Sequence, residues 1–222
     1  MTYTGERIAL IHVDNQNGFH ELRADMPGTG ELAVPDSHSI IGPSNELTEA
    51  FVAEGHDVIF SRDQHPRPRK RFGRIVEITE HFKVWPIHCV VGTPGGEIHR
   101  DAIIPEGAIF IDKGTEVLKP GEFDTSYSIG SGHVHGTEKA TIDLLRERNI
   151  GVAVLDGLTT EYCVLASAKS IAQAGIRTIV AINATRAVTQ EGYDNALVEY
   201  EQNGIELATH EQILARLALG QL

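Results

Sequence analysis

GVAVLDGLTTEYCVLASAKSIAQAGIRTIVAI, residues 151–182, is the stretch that decides the fold. Residues 151–155 (GVAVL) form a short apolar run with no polar alternation, which reads as a strand buried on both faces. Residues 160–174 carry apolar side chains at helical spacing and stop at Gly175, a residue suited to the left-handed turn that ends a helix. Residues 177–182 (RTIVAI) return as a strand. Two parallel strands joined by a helix require a crossover, and such crossovers are right-handed.

The same alternation extends in both directions. Upstream, residues 7–13 (RIALIHV), 57–61 (DVIFS) and 108–112 (AIFID) read as strands. Residues 43–54 read as a helix with Pro43 in its first turn and Gly55 as its stop. Residues 137–148 read as another, with Ala140, Ile142, Leu144 and Leu145 on its inner face. Downstream, residues 191–202 form a helix ended by Gly204, and residues 205–208 a short strand. Thr209 and Gln212 then make a capping box for a last helix reaching Leu219. The pattern predicts an α/β fold: a doubly wound, mostly parallel six-stranded sheet with helices on both faces, in one domain spanning residues 1–222. The exception is the segment 64–100, rich in Pro and basic residues and weakly periodic. A long irregular segment in a compact domain is usually functional.

Composition narrows the function. The chain has 222 residues and a formal net charge of −12, with 41% hydrophobic and 23% charged residues. Such a balance argues against a nucleic-acid backbone or an anionic membrane surface as partner. No apolar stretch approaches the length of a membrane span, and the start lacks a signal-peptide pattern. Two cysteines make no disulfide framework, so a reducing cytoplasm is the default expectation.

In open parallel sheets, ligands bind beyond the carboxyl ends of the strands. Asp14 follows the first predicted strand, Asp63 and His65 the second, and Lys113 the third. Cys163 follows the fourth, in the first turn of the helix. There, free N–H groups and the helix dipole favour a thiolate, and the same amides suit an oxyanion. Alone, Cys163 reads as readily as a small buried hydrophobe. Asp14 could cap a turn and Lys113 could be solvated, but together the three supply a base, an ammonium and a thiol on one rim. Asp63, His65 and the later His88 form a donor set for Zn²⁺, Fe²⁺ or Mn²⁺. His81 is an alternative ligand. His133 and His135 sit in a Gly-rich loop and read as solvated, and Cys89 reads as structural.

These residues stand in segments that resemble the nicotinamidases of the isochorismatase-like cysteine hydrolase family. The matches are ALIHVDNQNGF (9–19), GELAVP (30–35), RDQHP (62–66), WPIHCVVGTPG (85–95), DKG (112–114) and GLTTEYCV (157–164); the fourth is the most specific. The resemblance implies Cys163 as nucleophile, Asp14 as base and Lys113 as third member of a catalytic triad. It makes Asp63, His65 and His88 the ligands of one divalent ion, Zn²⁺ before Fe²⁺ or Mn²⁺. Phe19 and Trp85 fall where the family places aromatics around a pyridine ring. The backbone N–H groups of Thr159 and Cys163 would form the oxyanion hole, with a cis peptide at Leu158–Thr159. The sequence departs from the family at Arg71, where many members carry a further histidine. It departs again at Thr159, at Glu161, and after Tyr127–Ser128.

The implied activity is hydrolysis of nicotinamide to nicotinate and ammonia through a thioester, within pyridine nucleotide salvage. The alternatives are a hydrolase of another small amide on the same fold, or a non-catalytic metal- or redox-binding relative. A homo-oligomer is left open.

Overall fold

Residues Ile8 to Val13 are buried without a break because their strand runs through the middle of the sheet. The computed structural model describes residues 7–79, 81–117 and 127–222. Its elements in chain order are β1 (Arg7–Val13), α1 (Ile41–Ala53), β2 (Asp57–Asp63), β3 (Arg69–Arg71), β4 (Arg74–Glu77), α2 (His81–Val84), β5 (Ile109–Lys113) and β6 (His133–Val134). They continue with α3 (Thr141–Glu147), β7 (Ile150–Leu158), α4 (Leu165–Gln173), β8 (Arg177–Arg186), α5 (Gln190–Gln202), β9 (Glu206–Ala208) and α6 (His210–Ala218).

The central sheet has the order β6-β5-β2-β1-β7-β8-β9. Every pairing in it is parallel except β5 with β6. The sheet therefore has seven strands, not six. The extra one is the two-residue edge strand β6, too short to show a period in sequence. It blunts the edge of β5 with an antiparallel pairing, and exposed edges need such cover.

Side-chain alternation along β1 divides the core in two. Ala9, Ile11 and Val13 join a cluster with Leu144 and Leu145 of α3, Ala168 and Ile171 of α4, and Tyr200 of α5. Ile8 and Leu10 face the other way, toward Leu47 and Phe51 of α1 and Ile213 and Leu217 of α6. Helices cover both faces, as the uninterrupted apolar strands require.

Two further departures from expectation bear on function. The helix expected over 160–174 opens as a π turn, Thr160–Val164, before α4 begins. Its signature is the Val164 amide donating to the Thr159 carbonyl at 3.1 Å. The segment 64–100 is not wholly irregular, since it contains the β3–β4 hairpin and the one-turn α2. The capping box at the last helix is present, with the side chains of Thr209 and Gln212 each accepting from the other's amide.

Core and cap should differ in weight. Phe51 is fully buried, so Phe51→Ala is expected to cost about 3–5 kcal/mol of unfolding free energy. Thr209→Ala, which removes only an exposed cap, is expected to cost about 1 kcal/mol. Urea denaturation of the two variants checks the ranking.

Candidate active site

The strand order reverses beside β1, because the chain builds outward through β2 and β5 and then returns to place β7 on the other side. The crevice at such a switch point is where open α/β sheets bind ligands. Asp14 leaves β1 with a φ of 49° and enters that crevice. Gly157 of β7 lies opposite Val13. A Cβ on Gly157 would stand 2.0 Å from the Val13 carbonyl oxygen, so only glycine permits this approach of the two strands.

Strand register does much of the remaining assembly. Asp63 and Lys113 are paired neighbours at the ends of β2 and β5, and their side chains meet at 2.9 Å. Lys113 Nζ also lies 2.8 Å from Asp14 Oδ2 and 3.5 Å from Cys163 Sγ. All four side chains are buried. Burial would push the Lys113 ammonium down, but Asp14 and Asp63 outweigh it and hold its pKa well above the ordinary value. Lys113 is therefore a buried cation and not a solvated one. Burial raises the Asp14 carboxyl, and Asp63 adds to this against the pull of Lys113.

The thiol differs from the sequence expectation. Burial, reinforced by Asp14 and Asp63 against the opposing Lys113, pushes the Cys163 pKa above the ordinary thiol value, the opposite direction from that expected at a helix tip. The residue sits within the π turn, 5% exposed, so it has neither the water nor the α-helical first turn that favours a thiolate. A thiol and a carboxylate, both with raised proton affinity, thus stand side by side, as a proton transfer between them requires.

Asp63, His65 and His88 converge on one point. Asp63 Oδ2 lies 3.1 Å from His65 Nε2 and 3.9 Å from His88 Nε2. His65 Nδ1 is 3.2 Å from the Gly114 carbonyl, and His88 Nδ1 is 2.6 Å from the Pro86 carbonyl. With each Nδ1–H donating to its carbonyl, the Nε2 atom of each ring is turned toward the Asp63 carboxylate. That is the outer-shell arrangement of metal-binding imidazoles, so the residues fit a divalent ion. Gly114 allows the close approach, since a Cβ there would stand 2.7 Å from Asp63 Oδ1 and 2.9 Å from the His65 ring. A short parallel bridge between His65 and Val90 brings His88 alongside. The side chain of His81 lies outside the described residues. Arg71 is exposed on β3, its guanidinium 5.3 Å from the Phe72 ring centroid. Cys89 is buried with Phe19, Val34 and Ile40, and His133 and His135 are exposed.

A cleft joins the two groups, bringing Cys163 and Thr159 together with Asp63 and His88. Phe19, Trp85, Tyr127 and Tyr162 line it. Trp85 Nε1 donates to the Tyr127 hydroxyl at 2.8 Å, and the Trp85 ring meets Tyr162 edge-on at 5.4 Å. The Leu158–Thr159 peptide is cis.

Sequence reasoning missed several supporting residues. The Ser61 hydroxyl donates to Asp14 Oδ1 at 2.7 Å; its place two residues before Asp63, on the same strand face, was the available signal. The Gln16 side chain donates to the Asp63 carbonyl at 2.8 Å and accepts from the Asp63 amide at 2.7 Å. Glu161 Oε1 accepts from the Val188 amide at 2.7 Å and so ties the cysteine turn to a loop lining the cleft. Nothing local in the sequence announces those last two partnerships.

The model of the isochorismatase domain matches residues 8–212. The chain is 30% identical over 217 residues to a nicotinamidase of Acinetobacter baylyi, covering 93% of this chain and 94% of that protein. It is 30% identical over 200 residues to a nicotinamidase/pyrazinamidase of Mycobacterium tuberculosis, covering 90% and 97%. The crystal structure of Pyrococcus horikoshii pyrazinamidase in complex with zinc aligns with a TM-score of 0.72 and 30% identity, covering 91% of this chain and 99% of that one. With its domain match spanning the whole sheet and the rim that carries Asp14, Lys113 and Cys163, the chain belongs to the isochorismatase family.

Proposed function

We propose that this protein is a metal-dependent cysteine amidohydrolase that converts nicotinamide to nicotinate and ammonia. The observation that carries the reading is the contact of Lys113 Nζ with both Asp14 and Asp63, at 2.8 and 2.9 Å. It couples a cysteine–carboxylate pair to a His/His/Asp metal cluster within one aromatic-walled cleft. The relatives named nicotinamidase support the substrate. Residues 1–222 act as one hydrolase domain, with the segment 64–100 supplying Trp85, His65 and His88. The acidic charge and two free cysteines fit a cytoplasmic enzyme with a small neutral substrate.

Asp63, His65 and His88 hold the divalent ion, Zn²⁺ by the zinc-bound structural relative. When bound, it supplies a Lewis-acid anchor for a ring nitrogen. The flat ring lies between Phe19 and Trp85, which places its carboxamide over Cys163. Asp14 takes the thiol proton as Sγ attacks the carboxamide carbon. The Lys113 ammonium stabilises the sulfur anion as it forms and keeps Asp14 oriented. The Thr159 and Cys163 amides receive the oxyanion, each such donor being worth about 3 kcal/mol in acyl transfer. Asp14 returns the proton to the departing amine, and ammonia leaves a thioester on Cys163. Water then attacks the thioester, with Asp14 accepting its proton. The tetrahedral intermediate expels Sγ, which regains a proton, and nicotinate is released.

Ammonia release from nicotinamide tests the reading directly. Activity is expected in purified protein, loss after chelation, and recovery on adding Zn²⁺. An inert protein fully loaded with metal would refute it. Cys163→Ala is expected to lower turnover by roughly three orders of magnitude or more, the scale seen when a nucleophile is removed, while still binding nicotinate by calorimetry. The acid limb of kcat/KM reports the free enzyme's base. Asp14 works only when ionised, and its pKa lies above the ordinary 3.8. Activity should therefore fall with acidification at a midpoint above that value, and a pH–rate profile locates it.

A further inference from the structure

Three histidines outside the catalytic cleft meet on the far side of the Phe19 segment. His20 follows the short turn Asn17–Phe19, His38 lies in the turn Ser37–Ile40, and His99 follows Ile98, which bridges to Gln16. The ring centroids lie 4.2 Å apart for His20 and His99, 5.2 Å for His20 and His38, and 5.4 Å for His38 and His99. One nitrogen from each ring can be chosen so that all lie within 4.8 Å of one another. His20 and His99 are 0% and 1% exposed, and His38 is half-buried.

Hydrogen bonding leaves the inner nitrogens bare. His20 Nε2 donates to Asn15 Oδ1 at 2.7 Å, and His38 Nε2 donates to the Glu21 carbonyl at 3.1 Å. Their Nδ1 atoms are then lone pairs. Those two atoms and His99 Nε2 are buried and make no hydrogen bond among the described residues. Buried polar atoms without partners cost on the order of 1–3 kcal/mol each, so a group of three implies an occupant.

We propose that His20, His38 and His99 form a second metal site, binding a divalent transition-metal ion such as Zn²⁺ through His20 Nδ1, His38 Nδ1 and His99 Nε2. Three neutral imidazoles with a fourth position open to water is an established zinc donor set. Coordination through His99 Nε2 puts that ring's proton on Nδ1. This gives up only the long 3.3 Å contact from the Asp101 amide. The ion would tie together the chain leaving β1, the turn before α1 and the strand-like segment at residue 98. Asn15 and His20, at the two ends of the first of these, adjoin Asp14 and Phe19, so the site positions one wall of the cleft from behind. The competing occupant is a water that accepts from His99 Nε2 and donates to the two Nδ1 atoms.

Zinc binding to chelator-stripped, tag-free, full-length protein separates these cases, with no reliance on the proposed reaction. The expected stoichiometry is two ions for the wild type, one for His88→Ala, one for His38→Ala and none for the double variant. His38→Gln, which keeps the half-buried position filled, is expected to match His38→Ala, and near-ultraviolet circular dichroism checks that each variant is folded. Cobalt added to folded His88→Ala is expected to give visible bands that His38→Gln in that background abolishes. Folded His88→Ala that binds no metal would assign the three histidines to water and overturn the proposal. So would an unchanged stoichiometry in both His38 variants. Loss of the catalytic ion alone would remove only the His88-dependent equivalent.

Discussion

Lys113 is the residue on which the site depends. Its ammonium is wholly enclosed, and removing such a charge from water costs several kcal/mol. Two carboxylates within 2.9 Å offset that cost, and each carboxylate faces a different group. Asp14 faces the thiol, while Asp63 faces the imidazoles. One cation thus fixes the spacing between the Asp14–Cys163 pair and the Asp63–His65–His88 cluster. Removing it would leave two buried carboxylates repelling each other, so the arrangement is all-or-none.

The sheet makes this cluster inexpensive to build. Asp63 and Lys113 meet because β2 and β5 are in register at their last residues. Asp14 joins them because β1 lies next to β2, and Cys163 joins because β7 lies on the other side of β1. Four side chains spread over some 150 positions of sequence converge without any long loop having to order itself. Gly157 and Gly114 then remove the two Cβ atoms that would hold the strands and the histidine loop apart. Ser61 and Gln16 orient the carboxylate and the backbone from beneath.

Burial also shifts the proton affinity of Cys163. A thiol at an exposed helix start would ionise on its own. Here desolvation and two nearby carboxylates push its pKa up. In the proposed reaction the thiol proton passes to Asp14 as Sγ attacks, and Lys113 compensates the charge on sulfur.

The sequence by itself determined the strand–helix alternation, and through it the parallel sheet, its two covered faces and the rim where chemistry belongs. Uninterrupted apolar runs can be satisfied only in a sheet covered on both sides, so those features follow locally. The sequence also marked Asp14, Lys113, Cys163, Asp63, His65 and His88, each just past a predicted strand or in the Trp85–Gly95 motif, and the structure brings these six together. Only the tertiary structure decided the direction in which the Cys163 pKa moves, the seventh strand and the π turn. It alone revealed Ser61, Gln16, Glu161, Tyr127 and Tyr162 as supports, and brought His20, His38 and His99 together. A pKa depends on the summed burial and charge of neighbours distant in sequence, and a two-residue edge strand has no period to read. The three histidines meet across 79 positions of chain, from segments with no regular repeat, and nothing in local sequence encodes such a contact.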